Sequence, residues 1–68
     1  MDMIFVTDPD TLDNADEIEA AFIHCEVGYR RVREGATTYF YCSSLDGQGV
    51  SEYLEFKGIE HEWGASTL

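Results

Sequence analysis

The residues that could most readily bind a ligand are the carboxylates of the segment DPDTLDNADEIE, residues 8–19, which holds six acidic side chains in twelve positions. Four of them fall at positions 1, 3, 9 and 12 of an EF-hand calcium loop: Asp8, Asp10, Asp16 and Glu19. The match fails at position 5, where Leu12 offers no side-chain oxygen, and at position 6, where Asp13 replaces the glycine of the tight turn. We therefore expect no calcium site.

A zinc site would have to use His24, Cys25, Cys42 and His61. These residues come from separate elements and include no close pair at the usual ligand spacing. His24 and Cys25 are also adjacent on a predicted helix, where neighbouring side chains point about 100° apart. We expect a buried, reduced Cys25 beside a surface His24, and no metal or other cofactor.

Enzyme chemistry has little support in the chain. The sequence contains neither a GxSxG nucleophile elbow nor a glycine loop that could hold phosphate. His61 and Cys42 could serve as a base and a nucleophile, but any fold of this size brings some such pair close together. The sequence therefore predicts a protein that is not an enzyme.

Length and charge restrict the remaining possibilities. The 68 residues allow one small domain, residues 1–68, and the formal net charge is −10. This charge disfavours direct binding to nucleic acid or to an anionic membrane, because both depend on basic side chains. The chain also shows neither a signal peptide nor a membrane-spanning run, so we expect a cytoplasmic protein. A basic partner or a salty environment fits the charge better.

The first half of the chain predicts a strand and a helix. The apolar run MIFVT, residues 3–7, predicts a buried strand that ends before Pro9. Apolar residues then recur at helical spacing, at Ala15, Ile18, Phe22 and Cys25. Asn14 and Glu17 have the spacing of a capping box, so the helix should begin at Asn14 and end near Glu26.

The second half predicts more strands. Residues 29–43 are rich in β-branched and aromatic types and are interrupted by Gly35 and Ala36, a pattern typical of a β-hairpin. Phe40 and Cys42 should share one face of it, and Tyr39 and Tyr41 the other. Residues 45–49, LDGQG, have the composition of a turn.

The segment after this turn allows two interpretations. Residues 51–57 could form a helix with Ser51 as the N-cap, or a strand followed by a second strand over IEHEW with Ile59, His61 and Trp63 on one face. The strand interpretation is slightly favoured, Trp63 is expected in the core, and residues 64–68 should fray. The resulting fold class is α+β, with one helix packed on a mainly antiparallel sheet of three to five strands.

A basic and aromatic ribbon is the feature closest to a nucleic-acid-binding composition. It comprises Arg30, Arg31, Arg33, Tyr29, Tyr39 and Tyr41. Because the chain has 14 acidic residues, we expect these arginines to pair with acids and to protect an edge strand from aggregation.

The acidic residues exceed what a helix N-terminus requires. The first 29 positions hold eight carboxylates and no Lys or Arg, and the helix dipole accounts for only a few of them. Carboxylates on a helix surface lie about 5–6 Å apart, on the scale of phosphate spacing, so a rigid acidic face could occupy a DNA or RNA channel. The predicted partner-binding residues are Asp8, Asp10, Asp13, Asp16, Glu17, Glu19 and Glu26, with a second patch of Glu52, Glu55, Glu60 and Glu62.

In length, charge and its acidic segment from Asp8 to Glu26, the chain resembles the small phage-encoded inhibitors that mimic DNA, the anti-CRISPR and anti-restriction proteins. The resemblance implies a partner such as a CRISPR surveillance complex, a Cas nuclease or a restriction enzyme, inhibited in the host cytoplasm where it would bind DNA. Two alternatives remain open: an antitoxin-like acidic module that masks a basic active site, and a halophilic domain whose carboxylates serve solubility.

Overall fold

A computed structural model describes residues 2–8 and 14–66, except the side chain of Ser66. The elements are β1 Asp2–Thr7, α1 Ala15–Cys25, β2 Arg30–Glu34, β3 Thr37–Ser43, α2 Ser44–Phe56 and β4 Glu62–Ser66. The predicted α+β class is confirmed, although a second helix accompanies the one expected from the sequence.

The four strands form one antiparallel sheet in the order β2-β3-β1-β4. The chain order βαββαβ with this strand order is the ferredoxin-like, split βαβ arrangement. Strands β1 and β3 lie in the centre, and β2 and β4 form the two edges. Many unrelated functions occur on this fold, so the topology alone assigns none.

The core lies between the two helices and one face of the sheet, the inner face. Strand residues alternate in direction, which places Met3, Phe5, Phe40 and Cys42 on the inner face, all buried. Helix residues at three- and four-residue steps cover them: Ile18, Ala21 and Phe22 from α1, and Val50 and Leu54 from α2. The Phe5 and Phe22 rings pack edge to face, with their centroids 5.4 Å apart.

The hairpin prediction is confirmed. Strands β2 and β3 meet at a tight turn in which Gly35 has a φ of 61°, a conformation that glycine adopts without steric cost. Tyr39 and Tyr41 point to the other face of the sheet, opposite Phe40 and Cys42, as expected.

Helix α1 has the predicted bounds, but the predicted capping box is wrong. Asn14 occupies the N-cap position without a side-chain bond to the helix backbone. Its side-chain amide instead donates to the carbonyl oxygen of Glu60. At the other end Glu26 adopts a left-handed conformation, and its N–H donates to the carbonyl of Ile23.

Helix α2 overturns two predictions, the turn at residues 45–49 and the strand at residues 51–57. The helix begins after Ser43, whose hydroxyl accepts from the Asp46 N–H at 3.2 Å. Gly47, Val50, Ser51 and Leu54 are its buried residues, spaced at helical steps. Gly47 is favoured because α2 packs closely on β1: a Cβ at Gly47 would lie 2.3 Å from the Met3 sulfur.

The alternative prediction, a helix over residues 51–57, is correct, but its predicted start at Ser51 is wrong. Ser51 lies inside α2 and is buried. The helix does end as that alternative expected, with Lys57 at the C-cap and Gly58 at a φ of 72°.

Strand β4 begins later than predicted and does not bury Trp63. Ile59 and His61 precede the strand, and residues 64–66, expected to fray, pair with β1. Trp63 lies opposite Phe5 in the β1–β4 register, yet 55% of it is exposed. The reason is its position on an edge strand. Residues 67–68 lie outside the described part of the chain.

Candidate protein-binding surface

The topology brings carboxylates from several elements to one end of the sheet. At this end β1 and β2 finish, α1 and β4 begin, and α2 finishes. We call the group the acidic end; its described members are Asp8, Asp16, Glu17, Glu34, Glu55, Glu60 and Glu62. Some members of the first acidic run and of the second predicted patch therefore lie at the same end of the sheet.

Asn14 is the residue that joins the two acidic segments. Its backbone N–H donates to Thr7 Oγ1 at 3.3 Å, which fixes the start of α1 against the end of β1. Its side-chain amide donates to the carbonyl of Glu60, which fixes the α2–β4 connection against the same point. The start of α1 therefore lies next to the segment that carries Glu60, while Asp16 in its first turn faces β2, 3.7 Å from Arg31.

Asp8 and Glu34 extend the acidic end across the sheet. Asp8 Oδ2 accepts a hydrogen bond from Thr37 Oγ1 at 2.9 Å, and Thr37 lies opposite Glu34 in the hairpin register. Glu34 was not among the residues predicted from the sequence. The register of the hairpin could have identified it, because a two-residue turn at Gly35 and Ala36 places Glu34 at the end of β2.

Most carboxylates of the acidic end are open to solvent. The Asp16 side chain is 98% exposed, and the other members are exposed except Asp8, which is partly buried. Glu55 lies in the last turn of α2, where a helix dipole disfavours negative charge, and that turn contains no basic residue. The position of Glu55 is thus unfavourable for the stability of the helix.

Glu19 differs from the other predicted binding residues because both of its carboxylate oxygens accept hydrogen bonds from side chains of this protein. Its Oε1 accepts from Arg31 Nη1 at 3.0 Å, and its Oε2 accepts from the Tyr29 hydroxyl at 3.0 Å. The Arg31 guanidinium also lies 5.5 Å from the centroid of the Phe40 ring. Partial desolvation and the bond to Glu19 raise the pKa of Tyr29. Glu19 therefore holds α1 against β2.

Two other predicted residues fall outside the acidic end, and two more are not among the described residues. Glu26 lies at the opposite end of α1, and Glu52 lies one turn before Glu55 on the exposed side of α2. Asp10 and Asp13 belong to residues 9–13, outside the described part of the chain. The structure thus groups only part of the predicted set.

The basic and aromatic ribbon is divided between the two faces of the sheet. Arg31 and Arg33 point toward the helices, whereas Arg30, opposite Tyr41, points to the other face. Arg33 Nε donates to the carbonyl of Gly35 at 3.0 Å, and Tyr29 stacks on Phe22 with ring centroids 4.9 Å apart. The expected pairing of arginines with acids occurs at Arg31, which contacts both Glu19 and Asp16.

The residues considered for metal binding or catalysis lie apart. Within residues 2–8 and 14–66, no group of three or more His, Cys, Asp or Glu could hold a metal ion. Cys42 Sγ lies 3.8 Å from the Met3 carbonyl, and His24 stacks on Tyr53 with centroids 4.4 Å apart. Both cysteines are free thiols, and Cys25 is only partly buried.

His61 pairs with Ser51 rather than with Cys42. Ser51 Oγ lies 2.7 Å from His61 Nε2, and His61 Nδ1 lies 3.0 Å from the carbonyl of Ile59. A carbonyl only accepts, so Nδ1 carries a proton; in the neutral form of the ring Nε2 then accepts from Ser51, the arrangement of a nucleophile and its base. Ser51 is buried inside α2, however, where backbone N–H groups bond to the preceding turn and do not form an oxyanion hole.

A groove of about 480 Å³ lies between the start of α1 and the β2–β3 hairpin. Its lining carries both signs of charge, from Asp16 and Glu17 on α1 and from Arg31 and Arg33 on β2. This mixture selects neither an anion nor a cation, so the wider acidic end, to which Asp16 and Glu17 also belong, is the stronger candidate for binding.

Comparison of the chain with protein family models, curated proteins and solved structures found no match. In the described part of the chain, neither helix has the length and apolar character needed to cross a membrane.

Proposed function

We propose that the chain is an inhibitory binding protein whose acidic end occupies the basic, nucleic-acid-binding surface of a partner protein in place of DNA. The observation that carries this proposal is the contact of Asn14 with Glu60, which brings the first turn of α1 and the start of β4 together. Two acidic segments that are distant in sequence thereby lie at the same end of the sheet, which supports their use as one binding surface.

The acidic end has the physical properties that such a role requires. Six of its seven described carboxylates are exposed, so their charge is available to the Lys and Arg side chains of a partner. Their field would speed encounter with a surface rich in Lys and Arg, and each close pair would add charge-assisted hydrogen bonds. Because the members sit on the ends of packed elements, their backbone is already ordered, and the entropy lost on binding is mainly that of the side chains.

The partner class follows from the same chemistry together with the resemblance in size and charge to DNA-mimicking inhibitors. A CRISPR surveillance complex, a Cas nuclease and a restriction enzyme all hold DNA in a basic channel. The acidic end would bind this basic channel in each of them. An antitoxin-like protein that masks another basic site would use the same carboxylates, but DNA would not compete with it.

The test compares two variants that remove the same charge from different places. The first carries Asp16→Asn, Glu17→Gln and Glu60→Gln, all in the acidic end. The second carries Asp46→Asn, Glu26→Gln and Glu52→Gln, which lie away from it. Each immobilised protein is incubated with a bacterial extract at moderate salt and then eluted with duplex DNA.

We expect the native chain and the second variant to retain a nucleic-acid enzyme that DNA releases, and the first variant to lose it. Equal retention by both variants would show that overall charge, and not the acidic end, governs binding. Retention by the native chain without release by DNA would support the antitoxin-like alternative.

A further inference from the structure

The face of the sheet opposite the helices, which we call the open face, presents a strip of apolar and aromatic side chains. Its central members are Ile4, Val6, Val32, Tyr39 and Tyr41, and all are partly exposed. The register places Val32, Tyr39 and Val6 in one row, and Tyr41 and Ile4 in the next. Within the described residues both helices pack on the inner face, so no described element covers this strip.

The border of the open face is mostly acidic. Glu34 and Glu62 stand at the two edges near the acidic end, and Asp2 stands at the far end of β1. Arg30, next to Tyr41, is the basic residue among the described members of this face. An aromatic centre with a charged rim is the composition of a protein-binding surface, in which Tyr side chains supply the main contact area.

A second copy of the chain is a poor occupant of this surface. Each copy carries a formal charge of −10, and a face-to-face dimer would bring the acidic rims of both copies together. A basic partner gains from the same charges. The open face also continues into the acidic end through Glu34 and Glu62, so one partner can contact both.

We propose that the open face is a docking surface for an arginine-bearing segment of a basic protein. Its guanidinium groups would stack on Tyr39 and pair with Glu34 and Glu62 on that side, and stack on Tyr41 and pair with Asp2 on the other. This inference rests on the proposed function and specifies the partner chemistry next to the acidic end. Arginine suits the surface better than lysine because its planar guanidinium can stack on a ring and pair bidentately with a carboxylate at the same time.

The chain uses the same combination internally. Arg31 lies over the Phe40 ring and donates to Glu19. Gly64 leaves space for such a ligand on the open face, because it lies beside Ile4 in the register and a Cβ at Gly64 would meet nothing within 4 Å.

The experiment measures the affinity of two labelled peptides of equal length and charge, one alternating arginine with serine and one alternating lysine with serine. The proteins are the native chain, a Tyr39→Leu/Tyr41→Leu variant, a Tyr39→Phe/Tyr41→Phe variant and the acidic-end triple variant. Circular dichroism establishes that each variant folds, and amide chemical shifts locate the bound peptide.

We expect the native chain to bind the arginine peptide about threefold or more tightly than the lysine peptide, from the usual size of an exposed cation–π contact. The Phe variant should keep this preference and the Leu variant should lose it. Shift changes should include Tyr39 and Tyr41.

Equal affinity of the native chain for both peptides, or shift changes confined to the acidic end, would overturn the inference and leave the proposed function standing. Failure of the acidic-end variant to weaken either peptide would instead count against the proposed function. A concentration-dependent dimer that protects the open face would show that a second copy is the occupant.

Discussion

Cys42 is a residue whose chemistry is set by burial. It is 7% exposed, and desolvation, together with the charges of Asp46 and Asp2, raises the pKa of its thiol from 9.0 to about 11. The folded state therefore keeps a proton that the unfolded chain releases between these two pH values. By linkage, the stability that this difference contributes is present below about pH 9 and is lost as the pH rises through about 11.

We predict that the free energy of unfolding falls across this pH range by an amount on the order of 1–2 kcal/mol that depends on Cys42. The measurement is urea denaturation at a series of pH values for the native chain and for Cys42→Ala. The alanine variant should be less stable throughout but should show a shallower decline. Parallel curves for the two proteins would mean that Cys42 does not cause the decline.

At the scale of elements, α2 depends on one close approach to β1. A Cβ on residue 47 would lie 2.3 Å from the Met3 sulfur and 3.0 Å from the Met3 Cβ, so the Met3 side chain would have to move to admit it. Gly49 is in the same helix, but a Cβ there would meet nothing within 4 Å. The two glycines thus give a matched pair of substitutions.

We predict opposite effects of alanine at these two positions. Gly47→Ala should lower the free energy of unfolding by roughly 1–3 kcal/mol through overpacking. Gly49→Ala should raise it by about 0.5–1 kcal/mol, because alanine loses less backbone entropy in a helix. Denaturant midpoints measured at unchanged m-values test both. If Gly47→Ala also stabilises the chain, the contact with Met3 is not tight in solution.

The same helix shows where sequence patterns succeed and where they fail. The hairpin is predictable because Gly35 separates two runs of strand-forming residues, and α1 is predictable from the spacing of Ile18 and Phe22. Helix α2 is missed because Gly47 and Gly49 count against a helix unless the packing of Gly47 on Met3 is known. Ser43 followed by Asp46 was the available signal for its start.

The sequence also does not predict which residues that are distant in the chain come into contact. The acidic segments can be recognised from composition, but their meeting depends on a contact between Asn14 and Glu60, 46 positions apart in the chain. Trp63 has the alternation of a core residue, yet its exposure depends on the position of β4 at the edge of the sheet. Both facts belong to the tertiary arrangement.

At the scale of the whole molecule, the question is whether the charge of −10 serves a partner or a salty environment. The structure offers a folded core of buried aromatic and aliphatic residues, including Phe5, Phe22 and Phe40, which does not depend on salt for its contacts. Salt should nevertheless add some stability, because it screens repulsion among carboxylates over a Debye length of about 10 Å at 0.1 M.

We therefore predict cooperative unfolding of the native chain at low ionic strength, with a melting temperature that rises by only a few degrees as salt is added to about 0.5 M. Partner binding through the acidic end should weaken over the same range, because the attraction is screened. Thermal unfolding followed by circular dichroism in a potassium chloride series gives the melting temperature, and peptide affinity in the same buffers gives the strength of binding.

A chain that is unfolded at low salt and folds only in concentrated salt would show that the carboxylates serve hydration, as in a halophilic protein. If stability rises and partner affinity falls as salt is added, the carboxylates destabilise the fold by repulsion and serve to attract a basic partner.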